Sequence, residues 1–342
     1  MLSLVIWISV ILVGVILFTI FRVYTLVQVA KGKQDIRDEN NTKWNALMGL
    51  IFLVGGVTVF FWYSFKEFDN YVLPIASEHG VITDNLFWIT MGVTVFVFIA
   101  THILLFYFPY KYQYREESTA SFYPHNNKLE VLWTVVPAVV LTLLVGSGLK
   151  AWWDITDEAP QNAEVVEIVG YQFAWASRYP GKDKQLGDAD YKLIDVDNQL
   201  GMDFSDKSSF DDFLPREIHI PKGQPVLFKI KARDVIHSVY APHFRMQMNA
   251  VPGMPTQFWF VPTKSTEDMR IELGNPDFNY EIACNKICGK GHFAMRYIIV
   301  VDEPEDYQKW YAEQSSWLSQ NPDYLANVPD NLKEVAMISA GM

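Results

Sequence analysis

The chain has 342 residues, half of them hydrophobic, with two cysteines and a formal net charge of −11 at pH 7. Residues 1–150 carry ten basic and ten acidic side chains and residues 151–342 carry 18 and 29, so the whole net charge falls on the C-terminal part. Such a surface disfavours nucleic acid and suits a basic protein partner, whose encounter it would steer; acidity that merely keeps the domain soluble is the plainer reading.

Four apolar runs occupy the first part of the chain, at 1–21, 46–65, 86–108 and 131–149. Each is close to the roughly 20 residues a helix needs to cross the hydrocarbon core. None contains Asp, Glu, Lys or Arg, so four membrane-spanning helices are expected. The first run has no basic residue ahead of it and no small-residue cleavage pattern, and Arg22 follows it, so it reads as a retained helix. The Lys/Arg bias gives the orientation. The first connection carries Arg22, Lys31, Lys33, Arg37 and Lys43 and the third carries Lys111, Arg115 and Lys128, against Lys66 alone in the second. The first and third connections therefore face the cytoplasm, and the N-terminus and everything after Trp153 lie outside. Pro137 is expected to kink the fourth span. Glu130, just ahead of that span, either marks the helix end at the headgroups or opens a path for protons.

From Ala163 the pattern turns to short β-rich runs. "AEVVEIVGYQFAWASRYPG" alternates and ends in Pro-Gly, and "REIHIPKGQPVLFKIKARDVIHSVYAP" gives two strands about "PKGQP". "TQFWFVPT", "DMRIELG", "YEIACN" and "MRYIIVVDEP" follow as further strands. Many short strands with turn signals between them, and no strand–helix alternation, predict a sandwich or barrel. Residues 182–212, polar and rich in Asp, read as a surface excursion; "EDYQKWYAEQ" reads as a helix, and the tail from Ser315 carries no pattern.

Both cysteines fall in "CNKICGKGHFAM", Cys284 to Met295, spaced C-x3-C-x3-H-x2-M. A Cys284–Cys288 disulfide suits an exported domain, but it closes a tiny loop of small entropic value and leaves His292 and Met295 without a purpose. Zinc accepts two thiolates and an imidazole but takes a thioether poorly. Two thiolates, an imidazole and a thioether are a soft set that selects copper, on a loop entered from the strand "YEIAC". A second imidazole is expected from elsewhere in the fold. His237 in "DVIHSVYAP" is the best placed, while His219 within a strand and His243 after a proline read as ordinary histidines.

With "LEVLWTVVPA", "GYQFAW", "DVIHS" and "AVPGM", all in order from about Asn85 to about Trp310, the cysteine loop resembles subunit II of the haem–copper cytochrome c oxidases. The loop by itself is shared mainly with nitrous oxide reductase. The resemblance implies a transmembrane bundle of four α-helices followed by an all-β, cupredoxin-like Greek-key barrel. It divides the chain into an extra helix pair (1–70), the family's transmembrane hairpin (85–153), an exported domain (160–312) with 182–212 inserted, and a tail (313–342). It also implies a binuclear copper centre, CuA, with Cys284 and Cys288 bridging. His237 and Met295 would complete one copper, and His292 and the backbone carbonyl of Lys286 the other. Phe173 stands where a tryptophan commonly receives electrons from cytochrome c, Trp175 matches a neighbouring aromatic, and Glu130 matches the glutamate at the mouth of the K proton pathway.

Besides Phe173, two positions depart from the family pattern. Lys286 replaces a glutamate and Asn249 an aspartate, both near a magnesium ion shared with subunit I, which makes that ion doubtful here. No C-x-x-C-H is present for a c-type haem. The implied function is the electron-receiving subunit of a proton-translocating oxidase in the bacterial inner membrane. Electrons from cytochrome c would reach CuA and pass to haem in subunit I, where oxygen becomes water. The expected partners are subunit I and the other oxidase subunits, cytochrome c, the lipid bilayer and, through the extra helices, a respiratory supercomplex. A copper-free quinol oxidase subunit II and a membrane-anchored copper carrier are the alternatives. The retained sulfur and imidazole ligands count against the first, and four spans with "LEVLWTVVPA" against the second.

Overall fold

A computed structural model describes residues 2–32, 39–115 and 117–342; Lys33 and Arg37, counted in the orientation argument, lie outside the described residues. The chain divides into two units, residues 1–71 with 91–132, and residues 72–90 with 133–342. The first contains α1 (Leu2–Ala30), α2 (Glu39–Lys66), the single turn α3 (Phe68–Tyr71), the body of α4 (Glu78–Lys111) and the start of α5 (Asn127–Thr156). Among the described residues, four stretches are long and apolar enough to cross a membrane: Trp7–Ala30, Thr42–Lys66, Glu78–Lys111 and Asn127–Thr156. Their large apolar side chains, among them Leu17, Phe52 and Phe96, are exposed, which is stable only in hydrocarbon. Thr19 and Thr101 donate their hydroxyls to the carbonyls of Val15 and Val97 at 2.7 Å. In lipid a polar group must find its partner inside its own helix or bundle. Gly49 lets α2 approach α4, because a Cβ there would lie 3.3 Å from the Phe106 ring.

The second unit is built on nine strands: β1 (Glu164–Tyr171), β2 (Ala174–Arg178), β3 (Ile218–Pro221), β4 (Val226–Ala232), β5 (His237–Ala241), β6 (Met246–Ala250), β7 (Thr256–Phe260), β8 (Tyr280–Cys284) and β9 (Arg296–Asp302). Helix α6 (Thr266–Leu273) interrupts them, and α7 (Pro304–Ala312), α8 (Trp317–Gln320) and α9 (Lys333–Ala340) follow. One sheet runs β2-β1-β4-β7 and the other β3-β9-β8-β5-β6, the non-sequential order of a Greek-key barrel. Strand pairs β1–β4 and β3–β9 are parallel and the remainder antiparallel. Alternation puts Val226, Phe228 and Ile230 of β4 inside with Phe258, Phe260, Ile282 and Ile299, while Lys229 faces outward.

Residues 266–273 are helical, where alternation in "DMRIELG" predicted a strand. Ser265 accepts the Asp268 amide and the Asp268 carboxylate accepts the Ser265 amide, a capping box, and Gly274 closes the helix at φ +60°. The apolar spacing misled because its residues are not equivalent: Met269 is fully buried, whereas Ile271 is 74% exposed.

Strand β1 is covered on both faces. Val166 and Ile168 face the barrel core, while Val169 joins a second core with Met202, Phe204 and Phe210 from the 182–212 region and Trp317, Leu318 and Ala336 from the C-terminal segment. Buried Arg178 ties these layers together. Its Nε lies 2.9 Å from Glu167 and its Nη1 3.6 Å from Asp212, and its Nη2 donates to the Gly187 carbonyl. Lys231 meets the other Glu167 oxygen at 2.5 Å. Burial pushes the Asp212 carboxyl up to about 8, against the opposing pull of Arg178.

Candidate metal centre

Strand β8 ends on Cys284, and the next eleven residues form a loop that returns through a short 3₁₀ turn at His292–Ala294 into β9. The loop is held by its own backbone. Cys284 N–H donates to Met295 O at 3.1 Å, and Asn285 N–H donates to Ser238 O at 3.1 Å. His237 opens β5, which pairs with β8 at Val239 and Cys284, so the distant imidazole arrives beside the loop.

Both thiols are free and buried. Their sulfurs lie 3.9 Å apart. Cys284 Sγ is 3.8 Å from His237 Nδ1 and 3.2 Å from the Lys286 carbonyl oxygen. Cys288 Sγ is 3.6 Å from His292 Nδ1 and 3.9 Å from Met295 Sδ. The predicted loop residues and His237 therefore converge. His237, Cys284 and Cys288 form a metal-capable group whose ligand atoms all lie within 4.8 Å of one another. Burial pushes the Cys288 thiol up to about 11, and the nearby Cys284 adds to the effect, so a bound cation must displace protons.

Sequence reasoning missed the residues that support this set. His237 Nε2 lies 2.8 Å from Asp234 Oδ1, which leaves Nδ1 to face the sulfurs. Asp234 also accepts the Val235 amide at 2.7 Å and, through Oδ2, the Gln172 amide at 2.7 Å. Burial alone would raise its carboxyl, but the hydrogen bonds from His237, Gln172 and Val235 hold it below the usual carboxylate range. The D-x-x-H spacing of "DVIH" was the available signal. The Gln172 side chain donates to the Cys288 carbonyl at 2.5 Å, a link between distant loops that no local pattern announces.

The two aromatic candidates separate. Phe173 is 40% exposed and lies over the loop glycines: a Cβ on Gly289 or Gly291 would sit 2.9 or 2.6 Å from its ring. Trp175 is 5% exposed, with its ring 5.8 Å from that of His237. Ile287 and Phe293, on the loop itself, are 86% and 84% exposed and were not singled out from sequence. His219 stacks on Trp310 and pairs with Asp302 at 2.7 Å, and His243 meets the Pro74 carbonyl at 3.0 Å, so neither joins the centre. Glu130 belongs to the other unit, on the first turn of α5, and is exposed.

A cupredoxin-like barrel on membrane helices, presenting two free thiols and imidazole nitrogen in a buried cluster, defines a class of membrane-anchored protein suited to copper. Residues 61–150 match the transmembrane domain of cytochrome C oxidase subunit II and residues 164–303 match its periplasmic domain. The chain is 33% identical over 246 residues to the alternative cytochrome c oxidase subunit 2 of Bradyrhizobium diazoefficiens, spanning 71% of this chain and 84% of the relative. It is 27% identical over 291 residues to cytochrome c oxidase subunit 2 of Thermostichus vulcanus, spanning 69% and 76%. The solved periplasmic domain of subunit II of a Bradyrhizobium japonicum cytochrome oxidase is 21% identical at a TM-score of 0.31, covering 45% of this chain and 95% of that one, a likeness too distant to carry weight. The chain belongs to the cytochrome c oxidase subunit II family. It is thus a multi-pass membrane component of an oxidase complex, assembled with other oxidase subunits and bearing a periplasmic C-terminal domain.

Proposed function

We propose that this subunit takes single electrons from a cytochrome c at a binuclear copper centre and delivers them to haem in subunit I. The donor chemistry carries the reading. Two thiolates, two imidazole nitrogens, a thioether and a carbonyl oxygen converge around the buried Cys284, Cys288 and Met295 sulfurs, a set that would hold two copper ions sharing the two cysteines. His237 and Met295 would complete one ion, and His292 and the Lys286 carbonyl the other. Bound copper supplies a one-electron couple.

The protein's part is to hold ligands still and dry. Asp234 fixes the His237 ring, Gln172 anchors the Cys288 carbonyl, and the β5–β8 pairing ties both sides of the site to the barrel. Phe173 forms the exposed lid where a donor protein meets the loop, and Trp175 backs His237 from inside. Glu130 collects protons at the cytoplasmic mouth of a path into subunit I. Lys286 and Asn249 offer no carboxylate, and the Lys286 ammonium stands in for a magnesium ion at the subunit I junction.

The chain lies in the bacterial inner membrane with its N-terminus and its barrel outside. We read residues 1–70 as the added helix pair, 85–153 as the family hairpin, 160–312 as the copper domain and 313–342 as the tail, with the added pair docking a further respiratory complex. Electron paramagnetic resonance and near-infrared spectra of the copper-loaded chain test the central reading. A mixed-valence pair signal is expected; a single blue mononuclear signal, or no copper retained, refutes it.

A further inference from the structure

We infer that Arg245 and Asp84 are positioning residues that hold the metal centre in register with the first turns of membrane helix α4, so that onward electron delivery depends on them while copper binding and electron uptake do not. The inference rests on the electron-transfer reading above.

The connection begins in the β5–β6 hairpin. Its strands pair from His237 with Ala250 to Ala241 with Met246, and the turn between them is residues 242–245. A ligand therefore stands at one end of the hairpin and the turn at the other, about 13 Å along a strand rising roughly 3.3 Å per residue. Strand β8, which carries Cys284, pairs with the same β5 at Val239 and Tyr240. A shift of the turn therefore carries β5, β6 and β8, with the ligands on them, as one body relative to α4.

The segment ahead of α4 grips that turn. Arg245 Nε lies 2.6 Å from Asp84 Oδ1 and Nη2 lies 2.9 Å from Oδ2, a two-pronged pair on the second turn of α4. Nη2 also donates to the Leu73 carbonyl at 2.7 Å and Nη1 to the Pro242 carbonyl at 2.8 Å. The neighbouring backbone is tied as well: Ala76 N–H donates to His243 O at 2.8 Å, and Ser77 Oγ donates to Phe244 O at 2.8 Å. Gly80 allows the close approach, since a Cβ there would lie 2.7 Å from both Ile75 and Ser77 and 3.3 Å from Arg245.

Two features distinguish this pair from an ordinary surface ion pair. Each side chain is only 17% exposed, so solvent screens it less. Arg245 has φ +52°, a left-handed conformation that a non-glycine residue keeps only where its surroundings hold it. A planar guanidinium gripping both carboxylate oxygens fixes direction as well as distance, which an ammonium does not reproduce. The Arg245 side chain bonds Asp84 and the backbone carbonyls of Leu73 and Pro242, so the pair acts on where the centre sits and not on its ligand set.

The test uses the assembled oxidase with Arg245→Lys, Asp84→Asn and the exchanged pair Asp84→Arg with Arg245→Asp. Aspartate tolerates the left-handed backbone at 245. Three readouts are needed: the copper spectrum, the rate of copper reduction by cytochrome c, and the rate of electron passage from copper to haem. In both single variants the first two are expected to stay as in the wild type while passage to haem slows by about tenfold or more, since ångström-scale misplacement is costly in a preorganised system. The exchanged pair is expected to recover most of that loss. Unchanged passage in both single variants overturns the inference, as does a copper spectrum that decays in step with passage, which would mark a purely structural pair. A wild-type enzyme without a mixed-valence copper signal fails the underlying reading instead, and is recognised before any substitution is made.

Discussion

Asp234→Ala is the most informative substitution at the centre. Asp234 accepts three hydrogen bonds, from His237 Nε2 at 2.8 Å, Val235 N–H at 2.7 Å and Gln172 N–H at 2.7 Å, and alanine removes all three. One of them fixes the tautomer and direction of a metal ligand, and the other two pin the loops on either side of it. Loss of such an outer partner costs roughly 10–100-fold in metal affinity, which corresponds to about 1.4–2.8 kcal/mol. Asp234→Asn keeps an acceptor oxygen for His237 but loses the charge, so it is expected to fall between wild type and alanine. Copper affinity of the detergent-solubilised chain, measured by competition with a chelator of known strength, gives the magnitude. Affinity of Asp234→Ala within twofold of wild type would refute the claim that this carboxylate orients His237.

Two further predictions follow from packing and burial. Asp212 has a folded-state value of about 8 against an unfolded carboxylate near 3.9, so the folded state binds the proton more tightly. Its contribution to stability is complete below about pH 4 and fades as pH rises through about 8; Asp212→Asn is expected to flatten that slope in thermal melts between those limits, and an unchanged slope would contradict it. Gly291→Ala places a Cβ 2.6 Å from the root of the Phe173 ring, and such overpacking costs roughly 1–3 kcal/mol. A lowered melting temperature and slower reduction by cytochrome c are expected, whereas wild-type behaviour in both would show that Phe173 moves aside freely.

The residues that were legible in the sequence are those whose signal is local. Uninterrupted apolar runs announced the spans, although α1 and α4 extend well beyond the apolar stretches because polar residues continue a helix outside the hydrocarbon. Cys284, Cys288, His292 and Met295 lie within twelve consecutive residues, so spacing alone gathered them. Alternation found most strands but misread residues 266–273, where the capping pair Ser265 and Asp268 outweighs a two-residue period. Gln172 and Arg245 escaped notice because each acts through partners more than a hundred residues away, at Cys288 and Asp84. The C-terminal segment looked patternless for the same reason: Trp317 and Leu318 acquire meaning only against Phe204 and Phe210.

That second core also bears on how the protein is made. The apolar side of residues 182–212 emerges from the ribosome before the whole Cys284–Met295 loop, but its cover, Trp317 to Ala340, emerges only after that loop. Until that cover arrives, Met202, Phe204 and Phe210 keep only the part of their packing that Val169 and Leu200 supply, and the rest is open to water and to other nascent chains. A stop codon after Ala312 would leave the metal ligands intact and still make that exposure permanent, so shortened forms of this chain should be sticky in the periplasm even where they hold copper.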